Sequence, residues 1–126
     1  MSRSKTVSLA AAAASLLVAF ACAAAPAAPA TTADGALVTS GGMTLYTFDK
    51  DSAGKSACNG PCATAWPPLA AAAADAPQGP WSVITRDDGS RQWAYNGKPL
   101  YTYQKDAKAG DRSGDNFKDV WHVAKP

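Results

Sequence analysis

Apolar residues in this chain are first continuous, then diluted, then alternating. From about Val7 to Ala21 almost every position is apolar, and Arg3 and Lys5 stand in front of the run. A basic start followed by a short apolar stretch is the n-region and h-region of an export signal. The run is shorter than the roughly 20 apolar residues that a membrane-spanning helix needs. From Ala23 to Ala33 only Ala, Pro and Thr occur. That composition cannot bury a core and reads as a flexible tether. Beyond Asp34, short apolar and aromatic stretches alternate with Gly, Asp, Asn and Pro, which predicts strands joined by turns. The predicted strands are Ala36–Thr39, Thr44–Phe48, Trp81–Arg86, Gln92–Tyr95, Leu100–Tyr103 and a last short one at Trp121–Val123. Gly41-Gly42 and Asp87-Asp88-Gly89 mark turns, and Asn96-Gly97 is the strongest hairpin signal of the chain. The alanine-rich stretch Leu69–Ala76 reads as a linker with room for one or two helical turns, limited by the prolines and Gly79 around it.

The pattern then repeats itself. Leu45-Tyr46-Thr47-Phe48-Asp49-Lys50-Asp51 returns as Leu100-Tyr101-Thr102-Tyr103-Gln104-Lys105-Asp106, at an offset of 55 residues. The same offset carries Gly42 onto Gly97 and Trp66 onto Trp121 without a gap. Self-similarity at a fixed spacing sets the architecture. Each copy reads as a hairpin, an Asp-containing loop, and a short helical or irregular segment ending in Trp. Because side chains alternate along a strand, Tyr46 and Phe48 share one face, as do Tyr101 and Tyr103, while Leu45 and Thr47 face the other way. The expected fold is mainly β with little α: a small antiparallel β domain of two hairpin repeats with pseudo-two-fold symmetry. The expected organisation is a signal peptide over 1–21, a tether over 22–33 and one domain over 34–126, with repeats at about 36–69 and 91–123.

Composition agrees with strands and turns. The 126 residues include 10 Gly and 9 Pro, and all ten acidic residues are Asp, which suits turns and caps better than helix interiors. Removing Arg3 and Lys5 leaves ten basic residues against ten acidic ones. A near-neutral domain without a basic stripe excludes nucleic acid as a partner. About ninety residues make a small core, for which a covalent staple is useful.

Three cysteines sharpen the picture. Cys58 and Cys62 are four apart with Gly60-Pro61 between them, so the chain turns back and a disulfide is sterically reasonable. In an exported protein that is the default reading, and so small a loop contributes about 2 kcal/mol. Cys22 is then an odd thiol placed just after the apolar run. Ala19-Phe20-Ala21 has the form of an ordinary signal peptidase site, and the same place has the form of a lipobox, in which Cys22 is acylated. The cysteine count favours acylation. The alternative chemistry is a copper(I) or thiol-redox site in which Cys58 and Cys62 join His122, the single histidine, since two thiolates and an imidazole suit copper(I). Ser113 and Phe117 stand where repeat one has Cys58 and Cys62, which excludes a symmetric metal pair. The loop from Asp106 to Asp119 is acidic but lacks the spacing and the terminal Glu of a calcium loop. Asp51 and Asp106 read as loop-fixing residues that accept backbone N–H groups. No nucleophile–base pair and no glycine-rich phosphate loop is present, so an enzyme is not expected. Most of the aromatics should be core, and a surplus on one face would stack on a sugar or a partner.

Tyr46-x-Phe48-x-x-Asp51 and Tyr101-x-Tyr103-x-x-Asp106 flank Cys58-x-Gly60-x-Cys62-Ala63-x-x-Trp66-Pro67-Pro68-Leu69. With Pro99-Leu100-Tyr101 and Trp121-His122-Val123, this combination resembles the bacterial predicted lipoproteins with a Tyr-x-aromatic-x-x-Asp motif, also described as a secreted repeat of unknown function. The resemblance runs from about Leu37 to Val123. It implies export, frequent lipid anchoring and a tandem repeat, and it implies no established activity. The expected protein is therefore an exported, non-enzymatic cell-envelope protein without a cofactor. It is held at the periplasmic or extracellular face of a bacterial membrane through Cys22, or secreted, and meets an envelope protein or glycan. The alternative is the copper-binding or thiol-redox module of Cys58, Cys62 and His122.

Overall fold

A computed structural model describes residues 28–126. The signal, Cys22 and the tether as far as residue 27 lie outside the described residues. The chain folds as β1 (Thr31–Ala33), β2 (Ala36–Val38), β3 (Tyr46–Phe48), α1 (Pro61–Ala65), β4 (Trp81–Thr85), β5 (Arg91–Tyr95), β6 (Lys98–Pro99) and β7 (Trp121–Val123), with a 3-10 turn at Phe117–Asp119 before β7. The fold is mainly β with one short helix. All strand pairs are antiparallel: β1 with β2, β3 with β7, and β4 with β5 with β6. The Asn96-Gly97 turn closes the β5–β6 hairpin with both residues at positive φ, 50° and 80°, the combination that matches strand twist in a two-residue hairpin.

Three details depart from the expectations. The last tether residues are not loose, because Thr31–Ala33 pairs with β2 in register, Thr32 opposite Leu37. Leu69–Ala76 contains no helical turn. Pro68 and Ala70 bridge to Tyr101 and Gln92, and the Arg91 guanidinium then donates to the carbonyls of Ala72, Ala73 and Asp75 at 3.3, 2.6 and 3.3 Å, so these oxygens face a cation instead of an i+4 amide. Leu100–Tyr103 does not return along β5 for its whole length. It leaves after Pro99 and Leu100, and Tyr101 turns to the other repeat.

That turn defines the architecture. Tyr46 N–H donates to the Tyr101 carbonyl at 2.8 Å, and Tyr101 N–H donates to the Tyr46 carbonyl at 3.0 Å. Two repeat-equivalent residues exchanging both backbone bonds place a local two-fold axis between them. The segments that end each repeat then cross over. Leu69 N–H donates to the Leu100 carbonyl at 2.9 Å, and its counterpart Ala124 N–H donates to the Leu45 carbonyl at 2.8 Å. Repeat one completes the strands of repeat two, and repeat two, through β7, completes those of repeat one. The symmetry is broken in the first hairpin, where Val38 faces Thr44 while Ala94 faces Pro99, so the first turn holds one residue more.

Strand alternation sorts the apolar side chains into two clusters. Leu37, Leu45, Trp81, Trp93 and Leu100 form one, with Ala30 and Ala124. Tyr46, Cys58, Trp66, Tyr101, Tyr103, Trp121 and Val123 form the other, with Ala36. In the second cluster the tryptophans of the two repeats stack at 3.8 Å and 4°. Outside them, Tyr103 stacks on Trp66 at 3.9 Å and Phe48 stacks on Trp121 at 4.2 Å. The result is a four-ring column, Phe48–Trp121–Trp66–Tyr103, in which every stacked contact joins one repeat to the other. Gly114 lets the backbone reach this column: a Cβ there would run into the Trp66 ring and lie 2.9 Å from Tyr103 Cδ2.

Both tryptophans are over 95% buried, and truncating such a side chain costs about 3–5 kcal/mol. Trp66→Ala and Trp121→Ala are expected to lower the urea unfolding free energy by that amount, and by similar amounts, because they occupy equivalent halves of one stack. A loss below about 1 kcal/mol for either would show that the column does not hold the repeats together.

Candidate functional site

The recurring motif spends its polar atoms on the same crossover. Tyr46 Oη donates to Asp106 Oδ2 at 2.7 Å, and Tyr101 Oη donates to Asp51 Oδ2 at 2.6 Å. Each repeat's tyrosine thus meets the other repeat's aspartate. The second oxygen of each carboxylate fixes its own loop: Asp51 Oδ1 accepts Ala57 N–H at 2.6 Å, and Asp106 Oδ1 accepts Ser113 N–H at 3.0 Å. Burial, and then the bonded carboxylate, push both phenols well above the ordinary tyrosine value, so both remain donors. Burial also raises the Asp51 carboxyl above its ordinary 3.8, against the Ala57 amide, the Tyr101 hydroxyl and the Arg86 charge, which pull it down.

Cys58 and Cys62 form a disulfide with Cα atoms 5.2 Å apart. Pro61 opens α1 at its first turn, a position where its missing N–H costs nothing, and the helix delivers Trp66 to the stack. Arg86 lies 4% exposed behind this loop. Its Nη1 donates to Ser56 Oγ at 2.9 Å and to Gln92 Oε1 at 2.8 Å, and its Nη2 donates to the Cys58 carbonyl. Repeat two has no such bridge. Phe117, the counterpart of Cys62, instead packs on Trp66 and Tyr103 at 5.8 and 5.9 Å.

His122 is not with the cysteines. Its Nε2 lies 2.7 Å from Asp49 Oδ2 and its Nδ1 lies 3.2 Å from Asn116 Oδ1. Both ring nitrogens are thus engaged, one by a carboxylate and the other by a side-chain amide. Asn116, Lys118 and Asp119 all adopt positive φ, between 51° and 60°, a conformation that costs non-glycine residues energy. The strained turn is what carries the Asn116 oxygen to the ring. The pair opens into a polar groove of about 340 Å³ lined by Thr47, Asp49, Tyr95, Lys98, His122 and Lys125. A second hollow of about 250 Å³ shares Thr47, Asp49 and Lys98 with it and continues to Asp51, Ser52 and Asn96.

The copper grouping is therefore not assembled. The two sulfurs are bonded to each other, His122 is engaged elsewhere, and among the described residues no group of three His, Cys or acidic side chains converges to hold a metal. In the acidic loop, Asp106, Asp111 and Asp115 each accept backbone N–H groups. Most of the aromatics lie in or against the two clusters, and Phe117 is the one exposed large apolar side chain among the described residues.

Comparison with known proteins matches this arrangement to the family described as "Secreted repeat of unknown function". The match covers residues 28–70 and again residues 82–125, together more than two-thirds of the chain. The chain belongs to that family. No curated protein and no solved structure matches it. The two family matches each contain one copy of the motif, so in this secreted repeat the crossover joins one match to the other. No helix among the described residues is long and apolar enough to cross a membrane. Asp49 and Lys98 carry no motif signal. What marks Asp49 is asymmetry: its counterpart is Gln104, just as the counterpart of His122 is Pro67.

A hydrogen bond to a charged group contributes about 1.5–3 kcal/mol. Tyr46→Phe and Tyr101→Phe are each expected to lose that much stability in denaturant unfolding. The double variant leaves both aspartates without their phenols, and because Tyr46 and Tyr101 are bonded neighbours its loss is expected to depart from the sum of the two. The raised Asp51 carboxyl makes a prediction of opposite sign to ordinary acid denaturation. The folded state binds this proton more tightly than the unfolded chain, so its contribution is present below 3.8 and is lost as pH rises through the raised folded value. Relative to Asp51→Asn, the native protein should therefore gain stability as pH falls from about 6 to about 3 in paired thermal melts.

Proposed function

We propose that this secreted repeat is a non-enzymatic binding module of the bacterial cell envelope, tethered through an acylated Cys22. Its disulfide-stapled domain presents the Asp49–His122 groove to an envelope protein or glycan. The observation that carries the reading is the one-sidedness of that groove. The scaffold is two-fold, yet Asp49 and His122 face Gln104 and Pro67 at the equivalent positions. The stable core needs the tyrosines, tryptophans and repeated aspartates, whereas it does not need a histidine–aspartate pair that is about half exposed. A strained turn that orients such a pair is understandable where the pair meets something else.

Two measurements test it. The intact mass of the exported protein is expected to carry a diacylglyceryl group on Cys22 and to lack two hydrogens at Cys58 and Cys62. Free thiols that bind one copper(I), with binding lost in His122→Ala, would replace this reading with the metal module. For the groove, a photo-crosslinking side chain at Lys98 is compared in living cells with one at Met43, its counterpart across the two-fold. Capture from position 98 that fades in Asp49→Asn and His122→Ala supports the groove. Equal capture from both positions sinks it.

A further inference from the structure

The crossover between repeats lets the same contacts form within one chain or between two copies of it. A set of core contacts joins repeat one to repeat two: the Tyr46–Tyr101 backbone pair, both Tyr–Asp bonds, the Trp66–Trp121 stack and the β3–β7 ladder. None of them depends on the two repeats sharing a backbone. We infer that the clamped linker is what selects the single-chain form over an exchanged dimer, in which repeat one of each chain folds with repeat two of the other, and that releasing or shortening the linker yields that dimer.

The linker geometry makes this concrete. Ala71 N–H is bonded to Arg91 and Gln78 is paired with Trp81. Trp81 lies opposite Tyr95, so along the strands these two anchor points are separated by the length of β5, roughly 14 Å at about 3.4 Å per residue. The six residues between them cover that span with slack. The slack is taken up by a turn in which Asp75 accepts Ala72 N–H at 2.7 Å and Arg91 holds three carbonyls. A two-residue connection would reach only about 10–11 Å. It could not join the anchors within one lobe, whereas two lobes set side by side can bring anchors of different lobes together. Exchange of identical elements is a low-cost route to dimers because the contacts are the native ones.

The test uses the full exported chain with Cys22→Ser, so that no free thiol remains, and with Thr47→Cys and His122→Cys added. Thr47 and His122 are register partners across β3 and β7, within the distance a disulfide bridges. In the parent chain this bond forms within one chain. Deleting residues 73–76 is expected to double the mass in light scattering, keep the aromatic circular dichroism of the stack, and move the new disulfide between chains, giving a covalent dimer on a non-reducing gel. A folded monomer, or a dimer whose new disulfide stays within each chain, overturns the inference. Arg91→Ala with the full linker keeps the question open to decision if the shortened chain does not fold. Refolded at high concentration, it is expected to give several-fold more of the covalently trapped dimer than the parent. An Arg91→Ala protein that stays as monomeric as the parent overturns the inference as well.

Discussion

The structure depends on reciprocity. Each repeat holds what the other lacks: its tyrosine hydroxyl serves the other's aspartate, its tryptophan is sandwiched between aromatics of the other repeat, and its closing segment pairs with the other's strand. The energetics follow from this. Stacked aromatic pairs add to the burial of large apolar surface, and the two buried Tyr–Asp bonds satisfy groups that would be costly to leave unpaired. Neither repeat retains these partners if taken alone, so the cooperative unit is the pair.

The local two-fold makes the departures from it informative. Where the halves agree, the residues belong to the crossover. Where they differ, one half carries a disulfide backed by a buried Arg86 and the other a half-exposed Phe117, and one side carries Asp49 and His122 while the other has Gln104 and Pro67. The Arg86 guanidinium is paired with a hydroxyl, an amide and a carbonyl, while Asp51 acts on it only at a distance. That arrangement ties the disulfide loop to β4 and β5 without a buried ion pair.

Much of the scaffold was legible in the residues themselves. Tyr46 and Tyr101 announce the repeat, Asn96-Gly97 announces its hairpin, and Leu45 against Tyr46 announces two faces, because these signals are local and periodic. The pairing of Cys58 with Cys62 is equally local. The partners of Tyr46 and Tyr101 are not: Asp106 lies 60 residues from Tyr46 and Asp51 lies 50 from Tyr101, and a fixed offset says that two copies exist without saying whose tyrosine meets whose aspartate. The tether ends early because Thr31–Ala33 finds an unpaired strand edge, which composition does not reveal. The linker alanines favour helix by propensity, but Arg91 competes for their carbonyls. His122 stands out by its contrast with Pro67, whereas the choice of Asp49 as its partner is made only when β3 and β7 come together.

The placement of β7 has a consequence for how such a chain reaches its folded state. Phe48 waits for Trp121, and Asp49 waits for a histidine 73 residues further along. Long separations between contacting residues slow folding, since loop entropy is lost before contacts repay it. The Cys58–Cys62 bond spans only four residues and can close as soon as that loop is exposed to an oxidising compartment. In a secreted repeat the covalent loop is therefore a local closure, whereas the aromatic column is completed only by the second tryptophan, close to the end of the sequence.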